Sequence, residues 1–344
     1  EKLEQFHMDV AASIQVVLEK VLLKITENLS NKYNIPNLCL AGGVALNCVA
    51  NGKILKQNKF KKIWIQPASG DAGGALGSAL ALWYRDYVSE RIVSDKDEMK
   101  GSYLGPSFKR NDILSMLNEV KANFKEIDIN DIPKITAEYI AEGKAVGWFQ
   151  GKMEFGPRAL GNRSILADPR DHKMQKNLNL KIKYRESFRP FAPAILREEL
   201  EEWFNLGVDS PYMLLVANVL DKIKIKNKNQ NQKLFGIDKL NEVRSLIPSV
   251  THVDFSARVQ TVDKNINQIF HSLISEFKKI TDCPILINTS FNIRGEPIVC
   301  TPIDAYRCFM GTELDLLVIE NFILLKENQL QTNKKNYKDK FTLD

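Results

Sequence analysis

The sequence of 344 residues has few cysteines and no long apolar run. Its five cysteines are an odd number and none forms a C-x-x-C pair, which favours reduced thiols and argues against a zinc site. No apolar run approaches the roughly 20 residues that a membrane-spanning helix needs, so we expect no membrane segment. The net charge of +6 fits an anionic ligand but does not by itself indicate nucleic acid. We therefore expect a cytoplasmic protein.

The remaining composition is that of an ordinary globular protein. Hydrophobic residues make up 44% of the chain and charged residues 26%, and the length suggests two domains. A turn-rich segment at residues 101–106 follows a run of charged residues, so we place the domain boundary between residues 1–100 and 101–326. Residues 327–344 form a charged tail. Because the chain begins at Glu1 without Met and soon enters a helical pattern, we expect the natural amino terminus to lie upstream.

Apolar residues along the chain show helical spacing in some segments and short buried runs in others. The helical spacing predicts helices over residues 6–30, 78–84, 111–123, 132–142, 171–180, 198–204 and 302–310. The apolar runs predict strands over residues 38–41, 60–65, 145–149, 212–219, 257–262, 284–287 and 314–325. Strands and helices that follow one another in this way predict an α/β fold.

Residues 151–170 are dense in glycine, proline and cations, and they directly follow a predicted strand. Their sequence is GKMEFGPRALGNRSILADPR. Glycine lets the backbone approach a ligand and proline stiffens the turn, while Lys152, Arg158 and Arg163 supply positive charge. A rigid backbone with Arg and Lys is suited to binding phosphate or carboxylate groups. The alternative is a solvated basic loop, which ranks second because such loops seldom place glycine and proline among apolar residues.

Two loops in the first hundred residues follow predicted strands. Gly42, Gly43 and Asn47 lie between a strand and a helix start, which can place backbone N–H groups against phosphate but also serves plain tight packing. Asp71 lies among small residues at a second predicted helix start. It is either an N-cap or a carboxylate ligand to a cation that bridges phosphates. The residues alone leave both alternatives open.

Two polar clusters accompany the last predicted strands. Arg258 and Gln260 alternate on one face of a strand, close in sequence to His252. For His252, a hydrogen-bonded structural role and a role at a site are about equally supported. Asn288 and Ser290 follow the next strand at its carboxyl end, where open α/β sheets bind ligands.

Taken in order, these segments resemble the carbamoyltransferase family of nodulation and antibiotic biosynthesis, the NodU/CmcH type. The resemblance runs over about residues 36–326. It rests on AGGVALN, GDAGGALG, KMEFGPRALGNRSILADPR, FRPFAPAI, THVD, ARVQTV and NTSFNIRGEPIV, of which the long central motif is highly specific. The resemblance implies part of an actin-like (ASKHA, Kae1-like) nucleotide-binding domain followed by a YrdC-like twisted α/β domain.

The resemblance also implies an activity. The YrdC-like domain would cleave carbamoyl phosphate to carbamate and phosphate, and the carbamate would react with ATP in the actin-like domain to give carbamoyl adenylate. The carbamoyl group would then pass to a hydroxyl of a small-molecule acceptor. A divalent metal, Fe or Mg, would accompany ATP.

Individual residues inherit roles from the resemblance. Lys152, Arg158 and His252 would be catalytic, with His252 as an acid for the leaving phosphate. Asp71 would bind the metal. The carbamoyl phosphate site would comprise Lys152, Arg158, Arg163, Ser164, Arg258, Asn288 and Ser290, and the nucleotide site Gly42, Gly43 and Asn47.

The histidines depart from the family pattern, which includes a His-x-x-x-His metal pair. The four present are His7, His172, His252 and His271, and no two of them have that spacing. We therefore expect the chain to correspond to the carboxyl-terminal portion of a longer protein, with an incomplete metal site and with an amino-terminal partner chain or a homodimer completing it.

Two alternatives to the carbamoyltransferase interpretation remain. One is a YrdC-like RNA-binding or tRNA-modification protein. RNA binders usually interleave aromatic residues with cations, whereas the cations here lie in Gly/Pro loops, so nucleic acid is the less favoured ligand. The other is a non-catalytic scaffold that pairs with a separate amino-terminal chain.

Overall fold

A computed structural model of the chain describes residues 4–87, 90, 92–94, 97–225, 239–240, 242–330 and 337–341. The helices are α1 (Gln5–Tyr33), α2 (Cys48–Lys56), α3 (Asp71–Leu82), α4 (Arg110–Glu119), α5 (Ile132–Ala141), α6 (Met174–Asn177), α7 (Leu200–Trp203), α8 (Gln268–Thr281) and α9 (Pro302–Gly311). The strands are β1 (Asn37–Leu40), β2 (Lys62–Ile65), β3 (Lys125–Glu126), β4 (Val146–Phe149), β5 (Arg163–Ala167), β6 (Ala192–Leu196), β7 (Phe204–Asn205), β8 (Leu215–Val219), β9 (Ser256–Val262), β10 (Ile285–Ser290), β11 (Leu316–Ile319) and β12 (Phe322–Leu325).

The described strands form two sheets. β1 and β2 make a parallel pair, and the other ten strands form one mixed sheet in the order β3-β12-β11-β4-β5-β10-β6-β9-β8-β7. Within it, β4 pairs with β11 and β6 with β9 in parallel. β5 and β10 run antiparallel to both of their neighbours. This sheet, with helices between its strands, confirms the predicted α/β class.

The main core surrounds the centre of the large sheet. β4, β5, β6 and β11 are buried along their whole length, as expected for strands that are covered on both faces. α5 and α8 pack against each other, and α8 also contacts β6 and β10. α9 contacts β4 and β11. This rigid centre holds the ends of β4, β5, β9 and β10, where the predicted site residues lie.

Two predicted boundaries near these residues differ in the structure. The predicted loop at residues 151–170 ends earlier, because β5 begins at Arg163 and pairs with β4. The loop between the two strands therefore covers residues 150–162, and we call it the central loop. β10 continues to Ser290 rather than ending at residue 287, so the polar residues of that segment belong to the strand.

α3 also begins earlier than predicted, at Asp71 instead of residue 78. Of its three glycines only Gly73 packs closely, since a Cβ there would lie 2.0 Å from the carbonyl oxygen of Ala68. No residue of α3 is buried among the described part of the chain, and Leu80 and Leu82 are 45% and 47% exposed. None of the described helices has both the length and the apolar character needed to cross a membrane.

The first hundred residues pack directly on the large sheet through α2 and β8. The Asn51 amide donates to the carbonyl oxygens of Ala45 and Leu214, at 2.7 and 3.1 Å. Gly52 lies against Val216, where a Cβ would approach the carbonyl oxygen to 2.6 Å. Only glycine allows α2 to come this close, and the contact brings the loop before α2 next to the central loop.

Residues 337–341, the second described stretch of the predicted tail, return to the main core. Tyr337 donates a hydrogen bond from its hydroxyl to the Glu296 carboxylate. Its ring packs over Gly311, where a Cβ would lie 2.2 Å away. Phe341 packs against the same core. This segment therefore belongs to the fold.

Candidate functional site

A buried carboxylate organises the central loop. Glu154 is 6% exposed, and its Oε1 accepts hydrogen bonds from the backbone N–H groups of Leu160, Asn162 and Arg163, at 2.6, 2.8 and 3.3 Å. Burial raises the pKa of Glu154, while these backbone donors lower it. The loop is therefore wound around one side chain before any ligand binds.

The side chain of Arg163 also binds the backbone of the central loop. Its side chain is fully buried, and its guanidinium lies 3.5 Å from the centre of the Phe149 ring. Its four acceptors are the carbonyl oxygens of Gln150, Asn162, Pro106 and Gly151, at 2.8, 3.0, 3.2 and 3.2 Å. The predicted role of Arg163 in binding phosphate does not fit this geometry, because the guanidinium is enclosed by the protein's own carbonyls.

Ser164 is likewise structural. It is fully buried on β5, and its hydroxyl oxygen accepts the backbone N–H of Gly161 at 3.0 Å. Gly161 itself has φ +110°, and a Cβ there would lie 2.3 Å from the Phe270 ring. The predicted contact of Ser164 with carbamoyl phosphate is therefore also not supported.

Arg158 and Arg258 differ from Arg163, whose two terminal nitrogens are paired although its Nε also lacks a partner among the described residues. Arg158 is half-buried, its Nε is buried with no partner among the described residues, and its Nη2 makes only a long contact of 3.5 Å to the carbonyl oxygen of Leu46. Arg258, on β9, has no hydrogen-bond acceptor in the described part of the chain. Burial, with a further contribution from the Arg258 charge, lowers the pKa of Arg158 to about 10. Both guanidiniums are available to an anion.

A third arginine, Arg185, belongs with Arg158 and Arg258. It is not among the site residues predicted from the sequence. Its Nε donates to the Asn179 amide oxygen at 2.7 Å, and its guanidinium lies 5.1 Å from the centre of the Phe191 ring. Burial first, then the charges of Arg189 and Arg258, lower its pKa to about 10. The three guanidiniums of Arg158, Arg185 and Arg258 form what we call the arginine cluster.

Asn288 connects the strands to the central loop. It is fully buried, and its Nδ2 donates to the carbonyl oxygen of Ala159 at 3.3 Å and to the Gln260 Oε1 at 2.7 Å. Gln260 in turn donates from Nε2 to the carbonyl oxygen of Leu160 at 2.7 Å. Arg158 directly precedes these loop carbonyls, so the predicted pair Arg158 and Asn288 converge on one place.

Ser290 faces a lysine that was also not predicted. The Lys183 ammonium donates to the carbonyl oxygen and hydroxyl of Ser290 at 2.8 and 3.2 Å, and to the carbonyl and amide oxygens of Asn292 at 2.8 and 2.6 Å. Burial, with the Arg185 charge, lowers the pKa of Lys183 to about 7. Lys183 fixes the end of β10, so Ser290 is held in place beside the arginine cluster.

His252 lies near Arg258 in a mostly buried position. Its pKa is lowered chiefly by burial and also by the positive charges of Arg258 and Arg244, against an opposing contribution from Asp254. The ring borders a cavity of about 170 Å³. At neutral pH the imidazole therefore lacks the extra proton that the predicted acid role requires, and its environment favours a base.

Lys152 remains apart from these groups. Its side chain is exposed, and its ammonium has no partner among the described residues. Its carbonyl oxygen accepts the Asn162 amide at 2.7 Å, which anchors the loop backbone. The role of Lys152 in binding carbamoyl phosphate stays a prediction.

The predicted nucleotide loop has an open backbone and a structural asparagine. Gly42 has φ +92°, and a Cβ on Gly42 or Gly43 would meet no atom within 4 Å. Asn47 is the N-cap of α2, since its Oδ1 accepts the Ala50 N–H at 3.1 Å, and its amide pairs with that of Gln15. A structural cap therefore explains Asn47, whereas the two glycines leave room for a ligand.

Replacement of Asn47 by alanine tests the cap. We expect the free energy of unfolding to fall by about 1 kcal/mol, because the first turn of α2 loses its acceptor. Urea unfolding followed by circular dichroism measures this. Asn28→Ala, at an exposed position within α1, is the matched control, and an unchanged midpoint for Asn47→Ala would contradict the structural role.

The predicted metal ligand, Asp71, belongs to no group of candidate metal ligands in the described residues. Asp71 is exposed and is the first residue of α3, whose N-cap is Gly70, so the N-cap alternative is wrong, whereas the role of Asp71 as a metal ligand stays a prediction. In the described ranges, no group of three or more His, Cys, Asp or Glu side chains could hold a metal ion. These residues do not by themselves fit a metal site.

Comparison with known proteins shows which family the chain matches. A model described as Carbamoyltransferase C-terminus matches residues 137–326, and one described as Carbamoyltransferase N-terminus matches residues 1–80. The uncharacterized protein sll1178 of Synechocystis sp. is 53% identical over 99% of this chain and 56% of its own length. Nodulation protein NolNO of Sinorhizobium fredii is 39% identical over 94% of this chain and 44% of its own length.

The chain thus spans about half the length of these curated relatives. A solved structure of full-length HypF in a phosphate- and nucleotide-bound form matches 57% of this chain and 22% of its own, at 17% identity and a TM-score of 0.37. A likeness this weak supports no argument, so the division into actin-like and YrdC-like domains stays a prediction. The family model of the carboxyl-terminal part alone matches more than half of the residues of this chain. The chain therefore belongs to the carbamoyltransferase family.

Proposed function

We propose that the arginine cluster binds the phosphate group of carbamoyl phosphate and that the chain cleaves this compound. One observation supports the proposal above the others. The positive charge of Arg258 on β9 acts on Arg158 of the central loop, whose Nε lacks a partner among the described residues, and Ala159, the neighbour of Arg158, accepts a hydrogen bond from the buried amide of Asn288. Unpaired cations in a partly buried position destabilise the protein, and the binding of a dianionic ligand offsets this destabilisation.

The proposed reaction is a hydrolysis at the carbamoyl carbon. Water forms a bond to that carbon, the C–O bond to phosphate breaks, and carbamate and phosphate are the products. His252, neutral at pH 7, takes the proton from the water, and the arginines neutralise the charge that develops on the leaving phosphate. The groups of the chain then bind, orient and deprotonate, without a covalent intermediate.

The histidine gives this proposal a pH signature. We expect kcat/KM for phosphate release to be retained at pH 7 to 8 and to fall on acidification, because His252 loses its basic form only below the ordinary histidine pKa of about 6.5. A pH profile of phosphate release measures this. His252→Gln should lower the rate and remove that acid limb. A wild-type rate that rises on acidification would favour the acid role instead.

The later steps are proposals for the whole protein. Formation of carbamoyl adenylate with ATP, the use of a divalent metal and transfer to a hydroxyl acceptor follow from the family, whose members are about twice as long as this chain. Gly42 and Gly43 are the described residues that suit a nucleotide phosphate. The residues present do not complete a metal site, so we assign them no step that uses the metal.

The partners of the protein and its location are likewise proposals. The exposed apolar residues of α3 suit contact with an amino-terminal segment, a partner chain or a second copy, and a cytoplasmic location stays a prediction. The RNA-binding alternative receives less support, because the arginine cluster is half-buried beside polar strand ends instead of lying on an exposed aromatic surface.

A direct assay tests the proposal. The wild-type chain, incubated with carbamoyl phosphate, should release phosphate faster than a blank without protein. His172→Gln, an exposed histidine outside the cluster, should release it at the wild-type rate. Release no faster than the blank would overturn the assignment of the cleavage reaction to this chain.

A further inference from the structure

The amide of Asn288 holds a buried oxygen that nothing in the described structure satisfies. Asn288 is fully buried on β10, and its Oδ1 has no hydrogen-bond partner. A buried acceptor without a donor usually costs about 1–3 kcal/mol, so such atoms are rare in folded proteins. An acceptor that is left open beside an anion site is therefore expected to meet a donor on a ligand.

The orientation of this amide is fixed by a relay that begins at the backbone. The carbonyl oxygen of Leu160 can only accept, so Gln260 must direct its Nε2 toward it, at 2.7 Å. The Oε1 of Gln260 then faces Asn288 and accepts from its Nδ2, at 2.7 Å. The second proton of that Nδ2 goes to the carbonyl oxygen of Ala159, at 3.3 Å. Every donor of Asn288 is used, and its acceptor points away from the relay.

The relay lies on the face of the sheet that carries the arginine cluster. Gln260 and Arg258 are two residues apart on β9 and share one face, separated by roughly 7 Å along the strand. Ala192 and Ala194 are the residues of β6 that pair with Asn288 and Gln260, and their small side chains leave space there. A phosphate bound to Arg258 would therefore have its substituent near Asn288.

We propose that Gln260 is a positioning residue that turns the Asn288 oxygen toward the NH₂ group of the carbamoyl moiety and so selects carbamoyl phosphate over acetyl phosphate. The inference rests on the proposed function. The two acyl phosphates have nearly the same shape, since a methyl group replaces NH₂, and only the carbamoyl group can donate to the oxygen. Ala159 and Leu160 of the central loop lie against Asn288 and Gln260 and keep the relay ordered.

The expected discrimination is large for so small a difference. A methyl group placed against the open oxygen leaves it unsatisfied, whereas NH₂ satisfies it, which corresponds to roughly 10- to 100-fold in affinity. A pocket that only measured size would distinguish the two ligands weakly. The ratio of the two affinities is therefore the quantity that reports on the relay.

Two stable phosphonates measure this ratio by titration calorimetry. Phosphonoacetamide carries the amide NH₂, and 2-oxopropylphosphonate carries a methyl group in its place. The wild-type chain should bind the amide roughly 10- to 100-fold more tightly. Gln260→Met releases the amide of Asn288 from its fixed orientation, so the ratio should fall to near 1 mainly through weaker binding of phosphonoacetamide.

Two further variants keep the test decisive. Gln260→Glu still accepts from Asn288 and keeps its orientation, although it no longer donates to the carbonyl oxygen of Leu160. Both affinities should therefore fall, through this loss and through charge repulsion, while the ratio persists. Thr261→Val, on the opposite face of β9, removes a buried hydroxyl that accepts from Ser210 and should leave the ratio unchanged. If Gln260→Met weakens both probes equally, Gln260 is merely structural and the inference is overturned.

The wild-type chain separates this inference from the function on which it rests. Equal binding of both phosphonates would overturn the selection by Asn288 and leave the anion site standing. Binding of neither would overturn the proposed site and the inference together.

Discussion

Replacement of Arg158 by alanine should reduce phosphate release from carbamoyl phosphate by about 10- to 100-fold while the fold stays intact. A charge-assisted hydrogen bond to a phosphate contributes roughly 1.5–3 kcal/mol, and each 1.4 kcal/mol corresponds to a factor of ten. Arg158 has no strong partner in the described structure, since its Nε is unpaired and its Nη2 contact is 3.5 Å long. The side chain is therefore removed without loss of a protein contact that stabilises the fold.

Steady-state phosphate release, with urea unfolding as the companion measurement, tests this expectation. Arg110→Ala is the matched control, because Arg110 is an exposed arginine paired with Glu126 next to the edge strand β3. The control should retain both the rate and the midpoint of unfolding. An Arg158→Ala variant that keeps the wild-type rate would show that the central loop does not bind the phosphate.

Replacement of Arg163 by alanine should act on stability instead, lowering the free energy of unfolding by roughly 3–5 kcal/mol. Four carbonyl oxygens lose their donor, and a cavity opens beneath the Phe149 ring. The carbonyls belong to the central loop and to the segment before α4, so the loop itself should lose its order. Loss of activity would then follow from loss of the fold.

Urea unfolding measures the effect, with Arg110→Ala as control. Arg110 pairs with Glu126 at an exposed position, so its removal should leave the midpoint of unfolding nearly unchanged. An Arg163→Ala protein with the wild-type midpoint but a selective loss of phosphate release would mean that Arg163 contacts the substrate.

The contrast between these two arginines shows how far the sequence could predict the site. Both lie in the same Gly/Pro-rich segment, and the resemblance gives both the same role. The two arginines differ in their surroundings because β5 begins at Arg163. The strand directs the side chain of Arg163 under the loop, toward Phe149. A strand boundary five residues from Arg158 decides this, and composition and spacing do not locate it.

Other residues show what the sequence predicts about the site and what it does not. Arg258 and Gln260 were predicted to share a face because a strand alternates with a period of two, and β9 has that geometry. Lys183 and Arg185 were missed, because they follow an irregular helical turn whose direction depends on packing against the end of β10. α8 is not among the helices predicted from the sequence, although the buried Phe270, Leu273, Ile274 and Phe277 have helical spacing.

The class of the fold was predictable for a simpler reason. Apolar runs such as residues 145–149 are long enough for buried strands and too short for core helices, so their alternation with helical patterns allowed few other answers. The order of ten strands depends on contacts between distant segments, such as the pairing of β4 with β11, which local patterns do not encode.

Titration calorimetry of phosphonoacetamide into the wild-type chain and into Arg258→Ala tests the central claim most directly. Arg258 neighbours both other guanidiniums of the arginine cluster, so its removal should weaken a bound phosphonate by at least about tenfold. The wild-type chain should show saturable binding of one equivalent, and Arg258→Ala should show little heat at the same concentrations. Equal affinities for the two proteins would contradict the assignment of the phosphate site to the arginine cluster.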